Sequence, residues 1–154
     1  MEWLKKTELF ETLTEPQLRG LLSRSSVKAY NEGDKIFLQG EKASRLYFLI
    51  RGTIDLTVRA EGKVDLMTSK IEKEGSVFGT AALMEPYQYN VTATCLKSSE
   101  VLILEAGPLR KAMQEDPAMG MEIMKKLATI YFNRLNELRS GVSNLFKVFK
   151  IRTP

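Results

Sequence analysis

Leu46-Tyr47-Phe48-Leu49-Ile50-Arg51-Gly52-Thr53-Ile54-Asp55-Leu56-Thr57-Val58 carries the pattern that fixes the fold class. Its first five residues form an unbroken apolar run that ends at Gly52. In the second half the apolar residues alternate, so Ile54, Leu56 and Val58 share one face of a strand. Glycine punctuates the two halves, and neither half repeats every three or four residues as a helix would.

The same texture spreads outward on both sides. Upstream, Val27-Lys28-Ala29-Tyr30 is extended and leads into the turn Asn31-Glu32-Gly33-Asp34, then Lys35-Ile36-Phe37-Leu38 and a turn at Gly40. Downstream, Glu61-Gly62-Lys63 reads as a hairpin turn into Val64-Asp65-Leu66-Met67, and two further runs follow at 90–96 and at Val101-Leu102-Ile103-Leu104. Strands of four to seven residues with a turn about every eight to twelve predict an antiparallel sandwich, roll or barrel.

Helical patterns bracket these strands. Residues 3–13 present Leu4, Leu9, Phe10 and Leu13, and residues 15–25 present Leu18, Leu21 and Leu22 behind a Thr14 cap with Pro16 in the first turn. After Gly107-Pro108 a short helix is expected over 108–114. Asp116-Pro117 then opens a long helix, with Asp as cap and Pro in the first position, running to about Arg139 and stopping at Ser140-Gly141. In it Met121, Met124, Ala128, Tyr131, Leu135 and Leu138 fall at alternating spacings of three and four, a heptad seam. Ile123, Leu127 and Ile130 make a second stripe beside the seam. A helix that packs only on its own domain needs one stripe, so two predict that one face packs on the domain while the seam from Met121 to Leu138 meets another helix, in a parallel homodimer through 117–139. The alternative is one wide core face.

Composition narrows the function. The chain has 154 residues, room for one domain, and no histidine at all. Histidine-based triads, His-containing zinc sites and His-ligated haem are thereby excluded. The single cysteine, Cys95, lies in the alternating segment Val91-Thr92-Ala93-Thr94-Cys95 and points with Val91 and Ala93, which suits a core residue. Glu72 and Glu74 flank Gly75 with no partner acid implied, so no catalytic residue and no metal site is assigned, and a non-enzymatic binding module is expected. No apolar run is long enough to span a bilayer, the start lacks the order of a signal peptide, and a lone thiol suits a reducing cytoplasm.

The formal net charge is +4. Seven basic residues against Glu122 and Glu137 place +5 on residues 121–154, which leaves −1 on the other 120. A basic end of this kind suits a solvated helix face, or contact with an acidic partner or an anionic surface.

The order of parts resembles the cyclic-nucleotide-binding domains of catabolite-activator-type (Crp/Fnr-like) regulators, kinase regulatory subunits and gated channels. Asn31 to Glu41 looks like that family's first strand pair, Leu46 to Ile54 like its most recognisable stretch, and the Asp116-Pro117 helix like its long C-terminal helix. The resemblance covers about residues 7–139. It implies an eight-stranded antiparallel β-roll with flanking helices over 1–139, followed by a short basic and apolar tail at 140–154. Fifteen residues cannot hold a helix-turn-helix, so direct DNA binding is not expected. The tail is read either as folded back on the domain or as meeting a partner protein or an anionic membrane surface.

The resemblance also implies a ligand site, a phosphate-binding cassette beginning at Phe78-Gly79. In the family the cassette glycine precedes a Glu that grips the ribose, and an Arg nine residues later pairs with the cyclic phosphate. Here Thr80 stands at the Glu position and Tyr89 at the Arg position, an alignment supported by Ala82-Leu83 and by Thr92. Phe78, Gly79, Thr80, Ala81, Ala82, Leu83, Tyr89, Asn90, Val91 and Thr92 are therefore the candidate ligand-binding residues. Loss of an Arg–phosphate fork costs about 2–5 kcal/mol, so weak or absent binding of cyclic AMP or cyclic GMP is expected. Backbone N–H groups near Thr80-Ala81-Ala82 can still meet an anion, and Arg45, Arg51 and Arg59 on nearby strands are candidates for the missing cation. Two readings stay open. One is a sensor that relays a small ligand through the long helix to a regulated partner. The other is a degenerate module, its pocket closed by Tyr89, that only dimerises or binds protein.

Overall fold

The computed structural model describes residues 2–60 and 64–152. Its elements are α1 (Glu2–Lys5), α2 (Glu15–Leu22), β1 (Ser25–Tyr30), β2 (Lys35–Phe37), β3 (Arg45–Ala60), β4 (Val64–Ile71), β5 (Val77–Phe78), a 3-10 turn (Thr80–Leu83), β6 (Thr92–Glu105), α3 (Ala106–Glu115) and α4 (Pro117–Arg152). The strands form one antiparallel sheet in the order β1-β6-β3-β4, with β2 also on β6 and β5 also on β3.

The expected roll with flanking helices is present, in six described strands rather than eight. The two halves of the deciding stretch are one strand. Gly52 sits at φ +115° and takes up the register shifts of β3 against β6, bending the ladder without breaking it. Its bare Cα lets Ser99 approach so closely that a Cβ there would lie 2.0 Å from the serine Oγ and 2.6 Å from its Cα. The Ser99 hydroxyl accepts from the Thr53 N–H at 3.1 Å, pairing a group that the irregular ladder would leave open. The runs 90–96 and 101–104 likewise merge into β6. The expected hairpin turn at Glu61-Gly62-Lys63 lies outside the described residues.

The unbroken apolar runs and the alternating ones now have distinct causes. Leu46 and Phe48 pair in register with Leu104 and Leu102, and all four face the helices with Phe10, Leu18, Leu109, Ile123 and Leu127. Their neighbours Tyr47, Leu49, Val101 and Ile103 face the interior of the roll with Phe37, Ile54, Phe78 and Cys95. Both faces are covered there, so both must be apolar. Past Thr53 the strand alternates, with Ile54 and Leu56 buried and Asp55 and Thr57 half-exposed.

At the helices the structure departs from expectation in length. The first helix closes after one turn at Lys5, and turns carry the chain to Thr14, whose hydroxyl and Gln17 form a reciprocal capping box. Asp116 caps α4 through the Met119 N–H at 3.2 Å and accepts from Gln17 Nε2 at 2.9 Å, which ties α2 to the long helix. The helix predicted to stop at Arg139 continues through Ser140-Gly141 to Arg152, so residues 140–152 extend α4 and do not form a separate tail. One internal glycine costs only about 1 kcal/mol. Val142 and Leu145 meanwhile carry the seam spacing onward from Leu138.

Candidate ligand cavity

Gly79 makes the turn from β5 into the 3-10 turn. It adopts φ +75°, and a Cβ there would meet the Tyr47 ring at 3.0 Å and the Arg45 carbonyl at 3.3 Å, so glycine is the residue that fits. The backbone thereby comes close enough for Thr80 and Ala81 to edge a cavity of about 600 Å3 between the roll and α4. That volume lies within the usual range for small-molecule sites, about 300–1,000 Å3. The roll side of the wall is Leu56, Ser69, Gly79, Thr80, Ala81, Tyr89, Asn90 and Val91. The helix side is Tyr131, Arg134, Leu135 and Leu138, whose spacings of three, one and three put them on one face of α4. A second cleft, of about 380 Å3 between α2, α3 and the start of α4, holds none of the candidate residues.

Six of the ten candidate residues thus gather around the cavity: Gly79, Thr80, Ala81, Tyr89, Asn90 and Val91. The other four lie elsewhere. Phe78 and Ala82 are fully buried inside the roll, and Leu83 packs on the helix side. Thr92 turns its hydroxyl to the Gln39 N–H at 2.9 Å.

Thr80 and Tyr89 are held in unlike ways. The Thr80 hydroxyl faces that of Tyr131 at 2.5 Å, a direct link between the 3-10 turn and α4. Tyr89 lies inside the roll at 5% exposure, its ring stacked on Phe37 with centroids 3.9 Å apart. Its hydroxyl donates to the Arg45 carbonyl at 2.6 Å and accepts from the Arg45 N–H at 3.2 Å. Tyr47 and Phe78 continue the stack, with centroids 5.3 Å apart. Burial pushes the Tyr89 phenol upward from its ordinary pKa, and pushes Tyr47 further, with Tyr89 beside it adding to the effect. Both rings are neutral at physiological pH, and neither offers a charge to a ligand.

The candidate cations on neighbouring strands do not reach the cavity. Arg45 pairs with Glu105 at 3.0 Å and Arg51 with Glu100 at 3.4 Å, and none of Arg45, Arg51 and Arg59 lines the cavity. Arg134 of α4 does, and its Nη2 donates to the Val77 carbonyl at 3.2 Å beside the cassette. Sequence reasoning counted Arg134 only as one charge among seven. Its place one turn after Tyr131 was the available signal. Leu56 and Ser69 were also missed, because only strand pairing brings them opposite α4.

The two stripes of α4 separate cleanly. Ile123, Leu127 and Ile130 are buried on the domain. The seam residues are open: Met121 is 62% exposed, Leu135 45% and Leu138 65%, with Ala128 also exposed, Met124 partly so and Tyr131 half-buried. Phe132, beside the seam, is 62% exposed.

A β-roll with a tight Gly-led turn and a long helix across its mouth is the architecture of one class of regulatory domain. The family model for the cyclic nucleotide-binding domain matches residues 27–116, more than half of the chain, and the chain belongs to that family. It is similar to the cAMP-activated global transcriptional regulator CRP of Pasteurella multocida, 29% identical over 132 residues, which cover 85% of this chain and 61% of that protein. The chain thus spans about three-fifths of the length of that relative. Among solved structures, a Geobacter metallireducens GS-15 protein assigned to cyclic nucleotide binding superposes with a TM-score of 0.77 at 27% identity, over 87% of this chain and 96% of the other. The sensor domain of the transcriptional regulator DNR from Pseudomonas aeruginosa gives 0.73 at 25% identity, over 88% and 91%. No helix among the described residues is long and apolar enough to cross a membrane.

Proposed function

We propose that this domain is a non-enzymatic sensor. A small ligand enters the cavity between the roll and α4, and its presence sets how α4 pairs with the same helix of a second copy. The observation that carries this reading is a shared wall. Leu135 and Leu138 line the cavity and also belong to the open heptad seam, so a ligand body and a partner helix meet the same two side chains. A ligand shifts an equilibrium only through different affinity for its two states, and a contact on the pairing residues supplies that difference. Cyclic AMP and cyclic GMP are the first probes, because the family and the named relative point to them. Their binding is expected to be weak, since Thr80 and Tyr89 stand where the resemblance implies Glu and Arg. The relay then passes to a regulated protein partner in the cytoplasm.

A second reading has its own support. The Thr80–Tyr131 link and the inward Tyr89 close the site with the protein's own groups, which suits a module that binds no cyclic nucleotide and serves pairing alone. Sedimentation velocity over a range of protein concentrations separates the two. The sensor reading predicts a monomer–dimer midpoint that moves when millimolar cyclic AMP or cyclic GMP is added. A dimer whose midpoint ignores both favours the module, and a monomer at every concentration contradicts both.

A further inference from the structure

We infer that Arg134, on α4, makes this cavity a site for an organic anion, supplying from the helix the cation that the cassette lacks; the inference rests on the cavity reading above. Arg134 is the one residue among the described lining that is charged at neutral pH. No described carboxylate lines the cavity with it. Glu137 lines an adjoining groove that Arg134 also borders, and no ion pair joins the two among the described residues. A guanidinium has five N–H donors. One of them is recorded here, on the Val77 carbonyl at 3.2 Å, which steadies the head group beside Gly79 and Thr80 and leaves the others for a ligand.

The rest of the wall gives the chemical class. The Thr80 and Tyr131 hydroxyls share one hydrogen bond, and Asn90 and Ser69 add neutral polar groups. Leu56, Val91, Leu135 and Leu138 are apolar. One cation, a few neutral hydrogen-bonding groups and an apolar wall suit a ligand with a single anionic group on an apolar or aromatic body. A dianion would be left half-neutralised, and an uncharged ligand would forgo the strongest available contact. Because the cation sits on α4, the ligand's charge acts on the helix directly. Binding then depends on where α4 lies, which a cation on the roll would not impose.

The test compares charged and uncharged forms of one ligand body. The 15N-labelled full chain is titrated with cyclic AMP against adenosine, and with cyclic GMP against guanosine. The readouts are the amide resonances of Gly79, Thr80, Ala81, Asn90 and Val91 and the side-chain Nε–H of Arg134. We expect each anion to bind about 10- to 100-fold more tightly than its nucleoside, the range for one charge-assisted contact. R134Q should remove that preference, so that each anion binds no more tightly than its nucleoside, whereas R134K, which keeps the charge, should retain part of it. Equal binding of charged and uncharged forms, with the cavity amides shifting, would overturn the anion site and leave the cavity reading standing. A preference that survives in R134Q would also overturn it, because the charge would then be met elsewhere. No shift at these amides with any of the four at 10-fold molar excess and above, up to their solubility limits, would overturn the cavity reading along with it.

Discussion

Replacing Tyr89 by Arg puts back the residue type that the family resemblance implies at that position, and the structure predicts that the domain will tolerate it poorly. The tyrosine is 5% exposed, stacks on Phe37 at 3.9 Å, and bonds both the N–H and the carbonyl of Arg45. An aromatic pair of this kind contributes about 0.5–1.5 kcal/mol. Leaving the two backbone groups of Arg45 without the hydroxyl costs about 1–3 kcal/mol more. The guanidinium must also swing out of the roll, since a buried unpaired charge costs several kcal/mol. A loss of about 3–4 kcal/mol in a domain of this size lowers Tm by about 10 °C, at roughly 2–4 °C per kcal/mol. Calorimetric melts of wild type, Y89F and Y89R measure it. Y89F keeps the stack and loses only the hydroxyl, so about half the fall is expected. If Y89R melts within about 2 °C of wild type, the stack on Phe37 and the bonds to Arg45 do not hold position 89 inside the roll. The site would then be open to the family's own chemistry, and T80E with Y89R should bind cyclic AMP.

Three further outcomes follow from the same geometry. Leu127, 1% exposed on the domain side of α4, should cost about 2–5 kcal/mol as L127A in a urea melt, while L138A, at a site 65% exposed, should leave monomer stability nearly unchanged and weaken pairing instead. G52A should be severely destabilising in the same assay, because its Cβ would meet Ser99 at 2.0–2.6 Å at a positive φ, whereas G33A, with nothing within 4 Å of the added carbon, should show only backbone strain of about 1 kcal/mol. Alkaline unfolding should begin above about pH 10, where tyrosine ionises in the unfolded chain. The folded pKa values of Tyr47 and Tyr89 are raised, so their stabilising effect is complete below that pH and is lost as pH rises toward them; Y47F should flatten the decline.

Most of the fold was legible because it is written in short-range patterns. The alternation at 54–58, the Thr14 cap and the Asp116-Pro117 start each depend on residues within a few positions of one another. The strand count was not legible, since Gly52 reads as an end in sequence and acts as a bend only because Ser99, from β6, can pack against it. The end of α4 was missed because Ser140-Gly141 is a stop signal by local chemistry, yet the seam continues past it at Val142 and Leu145. For the site, the cassette glycine and its neighbours marked one wall. Arg134, about fifty residues beyond them, lines the other wall only through the way α4 crosses the roll, and no local pattern carries that.

A ligand cavity beneath α4 is tested by a melting-temperature screen of the purified chain against cyclic AMP, cyclic GMP, their nucleosides and a set of small organic anions. A ligand held in the cavity at 100 times its Kd stabilises the folded state by about 2.7 kcal/mol. That corresponds to a rise of about 5–10 °C for a domain of this size. Such a rise is expected for one or more anions, smaller or absent in R134Q. Melting temperatures that stay flat across the whole set, in wild type and variant alike, would contradict a ligand cavity under α4 and leave the pairing helix as the functional part.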